Sequence, residues 1–172
     1  MCNIASQCPL LRELDISFCY EISYKCLSQI GQRCPNLQTL RRNFMNWLDL
    51  SQHVRVVPKE YLDACPQDGD SEAAAIGKFM PQLLLLELQF SKLTNKGLTL
   101  ISEGCTNLEH VDLSGCANVT AREISNASSN LKKLKTMKKP NFYIPRTVIL
   151  HTERYGHWQL YDERFQTDVF RI

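Results

Sequence analysis

Eight cysteines and four histidines are the side chains with most chemical reach in this 172-residue sequence. A cysteine thiolate can attack a carbonyl or hold zinc, and a histidine can move protons or bind metal near neutral pH. Either role needs spacing that brings a set of groups together. His53, His110, His151 and His157 are scattered. His151 and His157 with Glu153 and Asp162 offer one conceivable metal set, but without ligand spacing, and no C-x-x-C occurs. There is no G-x-S-x-G, phosphate-binding glycine loop, dinucleotide fingerprint or H-E-x-x-H. The expectation is a non-enzyme with no cofactor and no metal. A hydrolase or metal protein using the His/Glu-rich tail stands as the contrary reading, which metal analysis would decide.

The cysteines make better sense as parts of a repeated element. Cys105 to Ala127, CTNLEHVDLSGCANVTAREISNA, reads as a short strand, a corner and a capped helix. Leu108, Val111 and Leu113 follow the L-x-x-L-x-L spacing of leucine-rich repeats, and Cys116 falls at their Asn/Cys position. Val111 and Leu113 point one way on a strand, and His110, Asp112 and Ser114 the other. Thr120 and Glu123 form a capping box, with Ile124 and Ala127 inward on the helix. One strand and one helix cannot bury this apolar face alone, so stacked copies are required.

The copies are present. From Cys8, the positions of Leu11, Leu14, Ile16, Cys19, Ile22, Ser23, Leu27 and Ile30 match those of Leu108 to Ala127 without a gap. From Met80, Leu83, Leu86 and Leu88 match, Ser91 takes the cysteine position, and one deletion brings Leu93, Thr94, Leu98 and Ile101 into place. Cys34 opens a copy that keeps Leu37 and Leu40 before departing, and Ser128 opens one with Leu131 and Leu134. Starts near 8, 34, 80, 105 and 128 predict an α/β leucine-rich-repeat solenoid over residues 1–137, short and curved. Residues 2–7 read as the end of an earlier repeat's helix, with Ile4 inward.

Composition is that of an ordinary globular chain, 44% hydrophobic and 22% charged. A net charge of +2 gives no argument for nucleic acid or a membrane surface. No apolar run approaches the roughly 18 residues of a spanning segment, and no signal peptide is visible. A monomer is expected. Cys8, Cys34 and Cys105 share one repeat position, and Cys19 and Cys116 another, so the thiols should stack as small buried groups. That suits a reducing compartment, cytoplasm and/or nucleus.

Three stretches break the pattern. An insertion of about 45–70 carries Trp47, Leu48, Val54, Val56 and Val57; it either packs as a divergent excursion or binds something. After it, Ser71 or Asp70 is expected to cap a helix from Glu72 to Phe79. A basic run includes Lys132, Lys133, Lys135, Lys138, Lys139 and Arg146; a solvated face is expected, with a phosphate or acidic-partner site as the alternative. Residues 138–172 hold nearly half of the chain's aromatics and are expected to cap the array, or else to dock a partner.

The repeat spacing predicts columns of outward side chains on a concave sheet. The central column is Asp15, Arg41, Glu87, Asp112 and Lys135. Glu13, Thr39, Leu85, His110 and Lys133 flank it on one side, and Ser17, Asn43, Gln89, Ser114 and Met137 on the other. This face is the candidate binding site, expected to take a target protein presenting a basic patch to Asp15, Glu87 and Asp112.

The phrase C-P-x-L-x-x-L-x-L-x-x-C, followed by I-[ST] and an apolar helix, resembles the cysteine-containing leucine-rich repeats of F-box proteins. The stretch SEAAAIGKFMPQLLLLELQFSKLTNKGLTLISEGCTNLEHVDLSGCANVT and the tail FYIPRTVILHTERYGHWQLYDERFQTDVFRI resemble plant F-box proteins of the SKP1-interacting leucine-rich-repeat type. The resemblance implies the substrate-recognition portion of an SCF-type E3 ubiquitin ligase receptor, selecting targets for proteasomal degradation. Contact with Skp1 and cullin is implied only through an F-box, and no stretch here matches the opening phrase of one. The alternative is a stand-alone interaction module that competes with a full-length receptor.

Overall fold

A computed structural model describes residues 7–46 and 68–140. Five three-residue strands form one parallel sheet in sequence order: β1 (Glu13–Asp15), β2 (Thr39–Arg41), β3 (Leu85–Glu87), β4 (His110–Asp112) and β5 (Thr136–Lys138). Helices α1 (Tyr24–Arg33), α2 (Gly69–Phe79), α3 (Asn95–Gly104) and α4 (Ala121–Asn130) connect them. Parallel neighbours need a crossover, and each helix supplies one. The core lies between sheet and helices. Leu40, Leu86 and Val111 fill it from the strands, and Leu27, Ile76, Leu98, Ile101 and Ile124 from the helices.

The repeat frame shows in the backbone. Each helix ends where the N–H of Cys34, Met80, Cys105 or Leu131 reaches back to the carbonyl of Ile30, Ile76, Ile101 or Ala127. Three residues on, Leu37, Leu83, Leu108 and Leu134 donate to the carbonyls of those same four capping residues, as Leu11 does to Cys8. The fifth repeat therefore starts at Leu131, three residues later than the start expected at Ser128. Leu131, Leu134 and Met137 are apolar at a spacing of three, so the pattern fits either frame. The helix end decides it.

Three of the five cysteines at the two shared positions, Cys34, Cys105 and Cys116, are buried stitches between repeats, whereas Cys8 and Cys19 of the first repeat are only half-buried, short of the burial expected. Cys34 Sγ donates to the Cys8 carbonyl at 3.4 Å and Cys105 Sγ to that of Met80 at 3.4 Å. Cys116 Sγ donates to the Leu88 carbonyl at 3.0 Å. Burial pushes the thiols of Cys105 and Cys116 up to about 12, so neither is a nucleophile at neutral pH. Helix starts are stitched too. Thr94 donates its N–H and hydroxyl to Asp70, and the Thr120 N–H donates to Asn95 Oδ1. Thr120 accepts from the Glu123 N–H as a cap should, but the Glu123 carboxylate takes the Thr99 hydroxyl instead of closing a capping box.

Helix α2 starts earlier than expected. Asp68 caps it by accepting from the Ser71 N–H, which leaves Asp70 free to hold Thr94. Its Gly77 meets α3 closely: a Cβ on Gly104 would lie 2.0 Å from the Gly77 carbonyl oxygen. Beyond the strands, Phe18, Phe90 and Gly115 take one repeat position with φ of 61°, 57° and 76°. The left-handed turn costs a non-glycine residue roughly 1–2 kcal/mol, and the Phe90 ring lies where a Cβ on Gly115 would be.

Candidate functional site

The outward face of the sheet is built from three layers. Strand register aligns Glu13, Thr39, Leu85, His110 and Thr136 in one, and Asp15, Arg41, Glu87, Asp112 and Lys138 in the next. Just past the strands, Ser17, Asn43, Gln89 and Ser114 form the third. There Phe18, Phe44 and Phe90 donate their N–H groups to the carbonyls of Asn43, Gln89 and Ser114.

Nine of the expected site residues thus lie where the spacing put them: Glu13, Asp15, Ser17, Arg41, Glu87, Gln89, His110, Asp112 and Ser114. Lys133 and Lys135 do not. The later frame of the fifth repeat moves both onto the turn before β5, where their amines donate to Asn107 Oδ1 and Glu109 Oε2. Lys138 and Thr136 take their column places, and Met137 points inward instead of outward.

The layers are cross-linked. Asn43 Nδ2 donates to Glu87 Oε2 at 2.9 Å, and Asn43 Oδ1 accepts the Gln89 N–H at 3.0 Å. Gln89 Nε2 donates to Asp112 Oδ2 at 2.9 Å, and Lys138 Nζ reaches the same oxygen at 3.0 Å. Arg41 lies 3.6 Å from Glu87, and His110 Nδ1 pairs with the Thr136 hydroxyl at 2.7 Å. Burial raises the pKa of Asp112, but bonds from Ser114, Lys138 and Gln89 outweigh it and hold the carboxyl below its ordinary value. Asp15 is also held low, by Ser17. The acidic column is therefore uneven. Glu87 and Asp112 serve the ladder, whereas Asp15 bonds Ser17 of its own turn, and both Asp15 and Glu13 are exposed.

Beneath this face lies an arrangement that the spacing did not reveal. Arg42 occupies the position of Ile16, Leu88 and Leu113 and is 0% exposed. Counting from the N-caps, Glu72 occupies that of Leu27, Leu98 and Ile124 and is 5% exposed. The two form a paired bond, with Arg42 Nη2 at 3.0 Å and Nε at 3.4 Å from the carboxylate. The signal in the sequence is an arginine at the third apolar position of the L-x-x-L-x-L phrase, two residues after Leu40, where the repeat departs from its pattern.

Among the described residues no group of three or more His, Cys, Asp or Glu converges as a metal site, and no helix is long and apolar enough to cross a membrane. The metal set weighed for His151, Glu153, His157 and Asp162 lies outside the described residues, as do the tail's aromatics and Trp47 to Val57.

Short parallel strands, helix crossovers and thiol stitches in register define a leucine-rich-repeat array, and the leucine-rich-repeat family model matches residues 104–121. The whole chain is 56% identical to the F-box protein SKIP1 of Arabidopsis thaliana, covering 57% of that protein. The putative F-box/LRR-repeat protein 19 of the same plant is 44% identical over 64% of this chain and 36% of its own length. The putative F-box/LRR-repeat protein 23 is 36% identical over 79% of this chain and 27% of its own. The chain is a homologue of the plant F-box/leucine-rich-repeat proteins, and it spans little more than half the length of the relative that it matches end to end.

Proposed function

We propose that this chain is the substrate-recognition portion of an SCF-type E3 ubiquitin ligase receptor, holding target proteins on the outward face of its sheet. The observation that carries the reading is the 56% identity to an F-box protein along the entire chain. The laddered face supports it, because hydrogen-bonded polar side chains on short strands form a preorganised surface. In this reading the array is of the cysteine-containing type, the residues expected to cap it do so only beyond Lys138, which β5 takes into the sheet, and the protein works as a monomer in cytoplasm and/or nucleus. Skp1 and cullin join only through an F-box. The partner's basic patch faces Glu13 and Asp15 first, since Glu87 and Asp112 already have internal partners.

The test is expression of the tagged chain in plant cells with the proteasome inhibited, beside Glu13→Lys/Asp15→Lys. Proteins retained by the first, lost by the variant and carrying ubiquitin support the reading. Equal retention by both removes this face from it. Retained proteins that lack ubiquitin and accumulate when the chain is overproduced favour the stand-alone competitor.

A further inference from the structure

We infer that Arg42 and Glu72 are a positioning clasp that takes over the work of the cysteine absent from the second repeat's corner and holds the first repeat to the array. In the third repeat the corner is held by the fourth. Cys116 Sγ donates to the Leu88 carbonyl, and Asn118 Nδ2 lies 3.5 Å from that of Lys92. In the second repeat Met45 stands three residues past Arg42, where Cys116 would, and brings no thiol to donate to the Ile16 carbonyl of the first.

Arg42 fills the gap. Its Nη1 donates to the carbonyls of Ile16 at 3.3 Å and Cys19 at 2.7 Å, and its Nη2 to that of Ile22 at 2.8 Å. These three carbonyls trace the whole corner of the first repeat, and Ile16 is the counterpart of Leu88. The remaining donors go to Glu72, so the five N–H bonds of the guanidinium meet five acceptors. Its guanidinium lies 4.5 Å from the Phe44 ring centroid, and Tyr20, whose hydroxyl accepts the Met45 N–H, packs tilted against that ring with centroids 5.8 Å apart.

Glu72 makes this hub possible. An unpaired guanidinium in the core would carry a heavy desolvation cost. The carboxylate comes from α2, the first helix after the insertion, so the clasp joins first-repeat backbone, second-repeat strand and the helix that resumes the array. It spans the sequence gap from Asn46 to Asp68 without using the residues between. It also sets the outward Asp15 and Ser17, which sit on the strand and corner that Arg42 grips. The inference goes beyond the proposed function and its readout involves no partner.

Amide hydrogen exchange on the full chain tests it, with Arg42→Met, Glu72→Gln and Arg42→Lys. In Arg42→Met and Glu72→Gln, protection of Ile22 and of α1 should fall at least tenfold further than protection of α4. Arg42→Lys keeps a charge and is the variant most able to fold, but one ammonium cannot serve five acceptors. Its loss should be smaller and confined to the same amides. Equal loss in α1 and α4, or full protection of α1 in Arg42→Lys, would overturn the clasp, leaving only a general stabilising pair or a replaceable charge.

Discussion

The second repeat and the fourth solve one packing problem with opposite chemistry. In the fourth, Leu113 directly follows the strand and Ile124 lies on the helix that comes next, and both are buried hydrocarbon. In the second, the same two places hold Arg42 and Glu72. Hydrocarbon at these positions seals the core but offers no donors, so the neighbouring corner must be held by another group, Cys116. The arginine seals less cheaply yet supplies the donors itself. The ion pair therefore sits where the corner cysteine has been replaced by Met45. A repeat array can lose such a stitch if one long polar side chain reaches the neighbouring carbonyls and its charge is matched.

The comparison breaks most visibly if one half of the pair is removed. Glu72→Leu leaves the Arg42 charge buried without its carboxylate and should cost about 3–5 kcal/mol in urea unfolding. Arg42→Leu/Glu72→Leu makes the second repeat chemically like the fourth. It should recover part of that loss, because no charge stays buried. It should remain below the native chain, because the carbonyls of Ile16, Cys19 and Ile22 lose their donors. A double variant as unstable as Glu72→Leu would mean that charge balance contributes little and the carbonyl bonds nearly everything.

The hydrocarbon side of the comparison comes next. Leu113→Ala opens a cavity under the fourth repeat and should cost about 2–5 kcal/mol. A cost below 1 kcal/mol would show that this corner is looser than its burial implies. Cys116→Ala removes a single weak donor and should cost about 1 kcal/mol. Cys116→Ser should be milder, since Ser91 already occupies this position in the third repeat and is buried there. If serine is no better than alanine, the thiol acts by filling space and not by donating to Leu88.

Much of this architecture was legible in the sequence because repeats that stack must keep the same apolar positions. Leu40, Leu86 and Val111 declare the strands, and Thr94 and Thr120 declare helix starts. The frame of the last repeat was not legible, since Leu131 replaces a cysteine and makes two registers equally apolar; that slip alone sent Lys133 and Lys135 to the wrong layer. The outward columns follow from spacing, but their internal pairing does not. Asn43 and Gln89 are both polar residues on an outward face, and only coordinates show that they bridge Glu87 and Asp112. Arg42 was hidden for the opposite reason. It breaks the pattern by which the repeats were found, and its partner Glu72 lies 30 residues away across the insertion.

The smallest expected effect concerns two carboxyls at one repeat position, Asp15 on the first strand and Asp112 on the fourth. Asp15 is exposed and held low by Ser17. Asp112 is 4% exposed; burial pushes it up, and Ser114, Lys138 and Gln89 pull it further down. A carboxyl held below its unfolded value of 3.8 adds stability above that value and loses it as pH falls through the folded pKa. The stability gaps between the native chain and Asp112→Asn, and between it and Asp15→Asn, should therefore stay constant from neutrality down to about pH 4 and narrow below it. The two gaps should differ in salt. Asp112 gains from the Lys138 ammonium, whose side chain is 72% exposed, so added salt should trim its gap. Asp15 depends first on a hydrogen bond from its own turn, so its gap should hardly move. Urea titrations between pH 2.5 and 7 at low and high salt separate these terms (from about one unit below the ordinary carboxylate range up to neutrality). A gap for Asp112→Asn that widens on acidification would mean that burial outweighs its three donors. The ladder would then be a cost that the outward face carries for another purpose, and the partner would be the place to look for the compensation.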